Sequence, residues 1–501
     1  MEKFEVVGTS PRRVDGLGLV GGRPVFVGDL PAGPDTLTVA LLRSPHAHAR
    51  IRAIDTSAAC EMDGVELVLT HENTPPIRYT TAGQGFPEPS PYDARMFDDK
   101  VRFVGDRVAA VAAVSDEVAR AACAVIEVDY EVLDPVLSID EARAPDAPVI
   151  HDEGDAVDVW AADRNCSAHV VASAGDFEQA LADAEVTVDV TCETHYGQHA
   201  PLEPHVARAE LDDEDRLVIT SSTQVPFHVR RIVARLLDLP VHRIRVVKPR
   251  IGGGFGVKQE VLIEDIVALV TLRTGRPSVL TFDREEEFVS SRTRHPMRIR
   301  VRLGASSEGT IEAIGMEVLS NTGAYGTHGL TVLSNVGSKT LPLYNRAPNV
   351  RFWGEAVYTN LPVGGAYRGY GATQGYFPLE TAIDRLAEAL DMDPLELRSR
   401  NHVRAGETSP MFRALGEGRE GVDQTIASCR LDECIRVGAE MIGWRDKRGR
   451  RRRDGDVVYG VGMSIHMQGS GIPLVDMGAA SMKRNDDGSV NLAVGATELG
   501  T

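Results

Sequence analysis

The sequence predicts an α+β fold. Two strands with period-two alternation carry that expectation most directly. Val186, Val188, Val190 and Cys192 alternate with Thr187, Asp189, Thr191 and Glu193, and Ile299, Val301 and Leu303 alternate with Arg298, Arg300 and Arg302. Period two means a strand with one buried face. Helical patterns at Phe177–Ala184, Phe227–Leu237, Val257–Arg273 and Gly375–Leu390 are interspersed with these strands rather than alternating regularly.

Three segments emerge. In the first, to about residue 140, short β patterns at Thr38–Leu42 and Gly64–Thr70 are separated by Pro, Gly and Asp turns. Val101–Val114 reads as a strand, and Ser115 is placed to cap a helix with Asp116 and Glu117 in its first turn, where the dipole favours negative charge. Ala124–Tyr130 returns to strand, and the Pro-, Ala- and Asp-rich stretch Asp134–Asp155 reads as a linker. The second segment runs from 155 to 405. The third, 420–501, holds strand patterns at Val457–Met463 and Val490–Val494. Its Arg445–Arg453 run, with seven Lys or Arg residues, reads as a solvated loop, and the Arg298, Arg300, Arg302 row as a solvated sheet face.

The 501 residues carry a net charge of −19. An acidic surface disfavours nucleic acid, which needs a basic face to displace phosphate counterions, and anionic membrane for the same reason. No apolar run approaches the length that spans a bilayer, and the first residues lack a signal-peptide pattern, so the chain reads as cytoplasmic. The six cysteines are scattered, without a Cys-x-x-Cys pair, which argues against a zinc ribbon or an iron–sulfur cluster on this chain and makes a buried, reduced thiol the default for each.

Four stretches invite chemistry. Arg243–Glu260 runs from a strand into Gly252, Gly253, Gly254, Phe255 and Gly256 and then into a helical pattern, an arrangement that presents main-chain N–H groups to an anion. Val257 stands where a dinucleotide fingerprint needs glycine, and Gln259 follows Lys258 where a Walker loop needs Ser or Thr. A structural turn remains the alternative. In Leu361–Gln374, Arg368 lies among glycines between Tyr367 and Tyr370, either as a surface residue or beside a flat or anionic ligand. His199, Glu203 and His205 raise the question of zinc, but Pro201 and Pro204 break any helix that would align them. Gln224 ends the strand Leu217–Thr220, offering a donor and an acceptor together or bonding its own backbone.

Taken in order, RRVDG, VGDLP, RSPHAHARI, VRFVGDRVAAVAA, LEPH, SSTQVP, IGGGFGVKQE, SNTGAYGTHG, AYRGYGATQ and GATELG resemble the molybdenum-cofactor-binding large subunit of the xanthine dehydrogenase/aldehyde oxidase family, in particular its bacterial xanthine dehydrogenase branch. The resemblance implies an α/β hammerhead domain at 1–140, a first molybdopterin-binding domain at 155–405, and the start of a second at 420–501. It implies that Gln224, Gly254, Phe255, Gly256, Arg368 and Gly500 approach the cofactor: Gln224 by a hydrogen bond beside the metal, Phe255 and Gly256 by main-chain N–H groups, and Arg368 by its main chain. Gln259 and Tyr370 would meet the substrate. Molybdenum would be held through the pterin, with no direct protein ligand, and the pterin nucleotide stays open, the cytosine dinucleotide form included.

The activity so implied is oxidative hydroxylation of an N-heteroaromatic, purine- or xanthine-like compound at a carbon next to nitrogen, using water-derived oxygen. Electrons would leave through iron–sulfur clusters and FAD on partner chains. The family's base is a glutamate in a Gly-Glu-Pro-type motif, expected beyond Thr501, so no catalytic residue is assigned. A natural split, with a separate polypeptide carrying the second molybdopterin-binding domain, and a truncated product are both open. Purine-oxidising relatives carry Glu at the position of Gln259 and an Arg on a later strand, where Thr331–Leu343 offers only Lys339. Gly369 stands where carbon monoxide dehydrogenases carry cysteine, which argues against that activity. The alternatives are a non-catalytic remnant or assembly module of the same fold, and a zinc hydrolase.

Overall fold

The alternating segments become central strands. The computed structural model describes residues 5–6, 8–13, 15–23, 25–83, 85–450, 452–468 and 478–495. A five-stranded sheet runs in the order Cys166–Ala174, Asn349–Tyr358, Ile311–Gly323, Met297–Ala305, Val186–Thr194. One pair in it, Ile311–Gly323 with Asn349–Tyr358, is parallel, and the rest are antiparallel. The helix Ala372–Ala389 packs on this sheet, its Ile383 and Leu386 sharing the largest core with Val301 and Leu303. On the other face, Arg298, Arg300 and Arg302 are each paired with a carboxylate, including Glu193 and Asp189 of the neighbouring strand. The basic row is therefore half of a cross-strand charge ladder.

The second sheet joins distant parts of the chain. Its order is Ile244–Val247, Leu217–Ser221, Val206–Leu211, Ser278–Thr281, Leu37–Arg43, Arg107–Ala113, Val65–Leu69. Leu37 and Thr38 pair in parallel with Ser278 and Val279, so strands from before residue 140 and after 155 share one ladder. The helix Glu264–Thr274, buried from Glu264 to Thr271, packs on this sheet.

Ser115 caps the helix Asp116–Ala124 through its side chain, which accepts from Val118 N–H. We expect Ser115→Ala to lower stability by about 1 kcal/mol, measured by urea unfolding.

Four local expectations need correction. Val101–Val114 is two strands: Lys100–Val101 belongs to a three-stranded sheet and Arg107–Ala113 to the seven-stranded one. The chain changes sheets at a turn in which Arg102 N–H donates to Asp106 Oδ2 at 3.0 Å. Val257–Arg273 is helical only from Glu264, because 257–263 is spent on turns and on a bridge between Ala82 and Glu260. Asp134–Asp155 is docked: Val136 N–H donates to Asn360 Oδ1 and Ile150 N–H to Asn165 Oδ1, both at 2.9 Å, and it contains the helix Ile139–Ala142. The basic run of the third segment is the helix Trp444–Lys447 and a hairpin of Arg452–Asp454 with Val457–Tyr459. Of the cysteines, Cys123 and Cys166 are buried, whereas Cys60 and Cys434 are exposed.

Candidate functional site

Three loops meet at the end of the strand Leu217–Ser221. Gln224 follows that strand, and its N–H donates to Lys258 O at 2.8 Å. Its side-chain Oε1 accepts from Gly256 N–H at 2.9 Å, leaving Nε2 without a partner among the described residues. Gly254 lies so close to this side chain that a Cβ there would sit 2.5 Å from Oε1. The loop is strongly left-handed, with φ of 101° at Gly253, 52° at Phe255 and 107° at Gly256. The N–H groups of Gly253, Gly254 and Phe255 make no hydrogen bond among the described residues. Consecutive free amides on such a backbone form an anion-receiving nest.

The third loop closes on the second. Arg368 N–H donates to Phe255 O at 2.8 Å, and a Cβ on Gly256 would come 2.5 Å from Ala366 O. Arg294 donates to Arg368 O at 2.8 Å and lies 3.9 Å over the Tyr367 ring, whose other neighbour is His199, 3.9 Å between centroids.

Gly256 N–H faces Gln224, and both main-chain groups of Arg368 stitch loop to loop, so the free amides are those of Gly253, Gly254 and Phe255. The glycine loop also does not open a helix, since the next helix starts at Glu264.

Beneath the loops lies a buried polar cluster that the sequence did not reveal. Glu260 Oε2 accepts from Arg292 Nε and from Thr81 Oγ1, each at 2.6 Å. His328 Nε2 lies 3.7 Å from Glu260 Oε1, while its Nδ1 is 2.6 Å from Tyr370 Oη, which is also 2.6 Å from Thr331 Oγ1. Tyr370 is thus held by its phenol at φ 39°. Gln259 is half-buried, with its N–H turned back to Gly256 O. Glu260, Arg292 and His328 carry no local motif, and only tertiary pairing identifies them.

His199, Glu203 and His205 do not converge. His199 Nε2 meets Ala366 O at 2.8 Å, His205 Nδ1 meets Glu287 at 2.8 Å, and Glu203 Oε2 binds Lys258, Gly252 N–H and Ser222. No group of three His, Cys, Asp or Glu among the described residues is placed to hold a metal ion. Lys339 pairs with Glu417 at 3.5 Å and does not line the cleft that holds Gln224. Gly500 lies outside the described residues.

Burial keeps three histidines neutral. His199 and His228 are pushed down to about 4 and His295 to about 3, from an ordinary 6.5. Between pH 6.5 and 4 the unfolded chain therefore binds protons that the folded chain refuses, so this stability is full above 6.5 and is lost as pH falls. We expect the urea midpoint to drop between pH 7 and 4.5, with His199→Gln shallowing the slope.

Gln224 and the helix that follows it open onto a cleft of about 1490 Å³. A run of unbonded amides, an amide donor and polar loops held by internal hydrogen bonds suit a flat, oxygen-rich, anionic group whose metal needs no side-chain ligand. The described residues fit a molybdopterin in this respect.

Comparison with known proteins gives the class. The model of the molybdopterin cofactor-binding domain matches residues 161–402, and that of the aldehyde oxidase and xanthine dehydrogenase a/b hammerhead domain matches 21–134. The chain belongs to the molybdenum-binding large subunits of the xanthine dehydrogenase/aldehyde oxidase family. It is 41% identical over 528 residues to the "Probable hypoxanthine oxidase XdhD" of Escherichia coli (strain K12), covering 100% of this chain and 55% of that protein. It is 32% identical over 428 residues to the nicotinate dehydrogenase large molybdopterin subunit of Eubacterium barkeri, covering 85% of this chain and 96% of that subunit. Its structure resembles the aldehyde oxidoreductase from Desulfovibrio gigas with a TM-score of 0.81 at 30% identity, covering 96% of this chain and 51% of that one. The chain thus spans about half the length of several relatives. No helix among the described residues is long and apolar enough to cross a membrane.

Proposed function

We propose that this chain is the cofactor-holding part of a molybdenum hydroxylase that oxidises a flat N-heteroaromatic compound, purine-like in class. The bond that ties Gln224, a lining residue of the cleft, to Gly256 of the loop carrying the free amides of Gly253, Gly254 and Phe255 supports this reading. When bound, the molybdenum centre supplies two-electron oxidation with a water-derived oxygen. The chain's own contribution is placement. The amide run would receive anionic oxygens without losing other hydrogen bonds, and Gln224 Nε2 would donate from a side chain already fixed through Oε1. Tyr370 would orient the substrate ring, because its phenol is locked by His328 and Thr331.

Iron–sulfur and FAD units are proposed for partner chains, together with a second molybdopterin-binding domain in a separate polypeptide or a continuation of this one. That domain would bring the base. The relative's hypoxanthine name supports purine, and Gln259 at the acidic position of purine oxidisers points away from a carboxylate contact there.

The test is to purify the chain with its native partners, measure molybdenum and pterin nucleotide, and assay hypoxanthine in ¹⁸O-water. We expect about one molybdenum per chain and labelled product. A complete complex without molybdenum would overturn the reading in favour of an assembly module.

A further inference from the structure

Tyr370 holds a backbone conformation that a tyrosine rarely adopts, with φ 39°. Such strain persists only where the surroundings over-determine it, and it gathers at sites that need a fixed side chain. Here the phenol does the fixing. Its Oη lies 2.6 Å from His328 Nδ1 and 2.6 Å from Thr331 Oγ1, and Thr331 lines the cleft that holds Gln224. Burial pushes the pKa of the phenol well up, and the cleft-lining Glu417 and Glu88 add to that, so the phenol keeps its proton.

His328 connects the phenol to a buried carboxylate. His328 Nε2 and Glu260 Oε1 are both buried without a hydrogen-bond partner among the described residues, and they stand 3.7 Å apart. Glu260 is held by its other oxygen: Arg292 Nε and Thr81 Oγ1 each donate to Oε2 at 2.6 Å, and Arg292 Nη2 donates to Thr81 Oγ1 at 3.1 Å. The carboxylate cannot turn away from His328 without breaking these contacts. It therefore decides the imidazole tautomer. A bare Nε2 would set a lone pair against an anionic oxygen where little screens the repulsion, whereas Nε2–H offers that oxygen a donor. With the proton on Nε2, Nδ1 becomes an acceptor and takes the phenol O–H. Buried ion pairs add little net stability over apolar packing, so what this cluster contributes is geometry.

We propose that Glu260 and His328 are positioning residues: the carboxylate fixes the imidazole tautomer, the imidazole accepts from the phenol, and the Tyr370 ring is thereby held in one plane against the heterocycle to be oxidised. This rests on the reading that Tyr370 meets the substrate of a molybdenum hydroxylase. Both residues act through Tyr370 and not on the substrate directly.

The test is a double-mutant cycle in the assembled holoenzyme with hypoxanthine as substrate. Glu260→Gln keeps the shape of the side chain but offers His328 a donor as readily as an acceptor, so the tautomer is no longer fixed. We expect it to lower kcat about tenfold, with KM changed less than about threefold and molybdenum content unchanged, since displacing the reacting carbon by about 1 Å costs rate more than binding. Tyr370→Phe should cost about as much. Adding Glu260→Gln to Tyr370→Phe should then cost less than about twofold more, because the carboxylate has no phenol left to act through. Wild-type kcat in Glu260→Gln, additive losses in the double variant, or loss of molybdenum in Glu260→Gln would each overturn the proposal. Should Glu260→Gln fail to fold, His328→Gln, which leaves the Glu260–Arg292 pair intact, takes its place in the cycle. A crystal structure of the variant complex separates the two readings. If the wild-type complex oxidises no heterocycle, the hydroxylase reading falls by itself, and the positioning claim is decided by the Tyr370 ring: a ring that leaves its wild-type plane in the variant supports it, and an unmoved ring overturns it.

Discussion

Gly256→Val is expected to lower stability by about 2–5 kcal/mol and to leave the assembled protein without molybdenum. Two independent costs add at this residue. Its φ of 107° lies where a β-branched residue is strained, and its missing Cβ is what allows Ala366 O to approach. The neighbour that would have to yield is main chain, so no rotamer change relieves the clash. Pushing the two loops apart would also break the bond from Arg368 N–H to Phe255 O and the bond from Gly256 N–H to Gln224, and with them the placement of the amide run. Urea unfolding gives the first effect and metal analysis of the purified complex the second.

The second large effect concerns the layer beneath. Arg292→Met should cost about 3–5 kcal/mol, because it leaves the Glu260 carboxylate buried without its charge partner. The pair is 6% and 1% exposed and 2.6 Å apart, out of reach of compensating solvent. Glu260→Leu combined with Arg292→Met should restore much of the loss, since a buried ion pair replaced whole by apolar groups is often neutral. A double-mutant cycle in urea measures both. A destabilisation below about 1 kcal/mol for Arg292→Met would mean that Glu260 is solvated in solution.

The strands Val186–Thr194 and Met297–Ala305 were legible because each has one buried and one solvated face, and period two records that directly. The Ser115 cap was legible because the interaction is local. The shared seven-stranded sheet was not, since the pairing of Leu37 with Ser278 depends on partners 241 residues apart and leaves no local trace. The break in Val101–Val114 was hidden for a related reason: apolar character persists through a change of sheet. In Val257–Arg273 the apolar run masked a stretch whose main chain is committed to turns and to Thr81.

At the site, the sequence pointed to Gln224 and the Gly252–Gly256 loop, which the structure brings within hydrogen-bonding distance. It could not reveal which amides are consumed internally. Nor could it reveal Glu260, Arg292 and His328, because a buried charge network is defined by tertiary neighbours.

The most direct measurement is an anomalous-difference map at the molybdenum edge from crystals of the complete complex. A single peak in the cleft beside the side chain of Gln224 and the amides of Gly253–Phe255 is predicted. A peak elsewhere, or none in a fully assembled complex, would contradict the account.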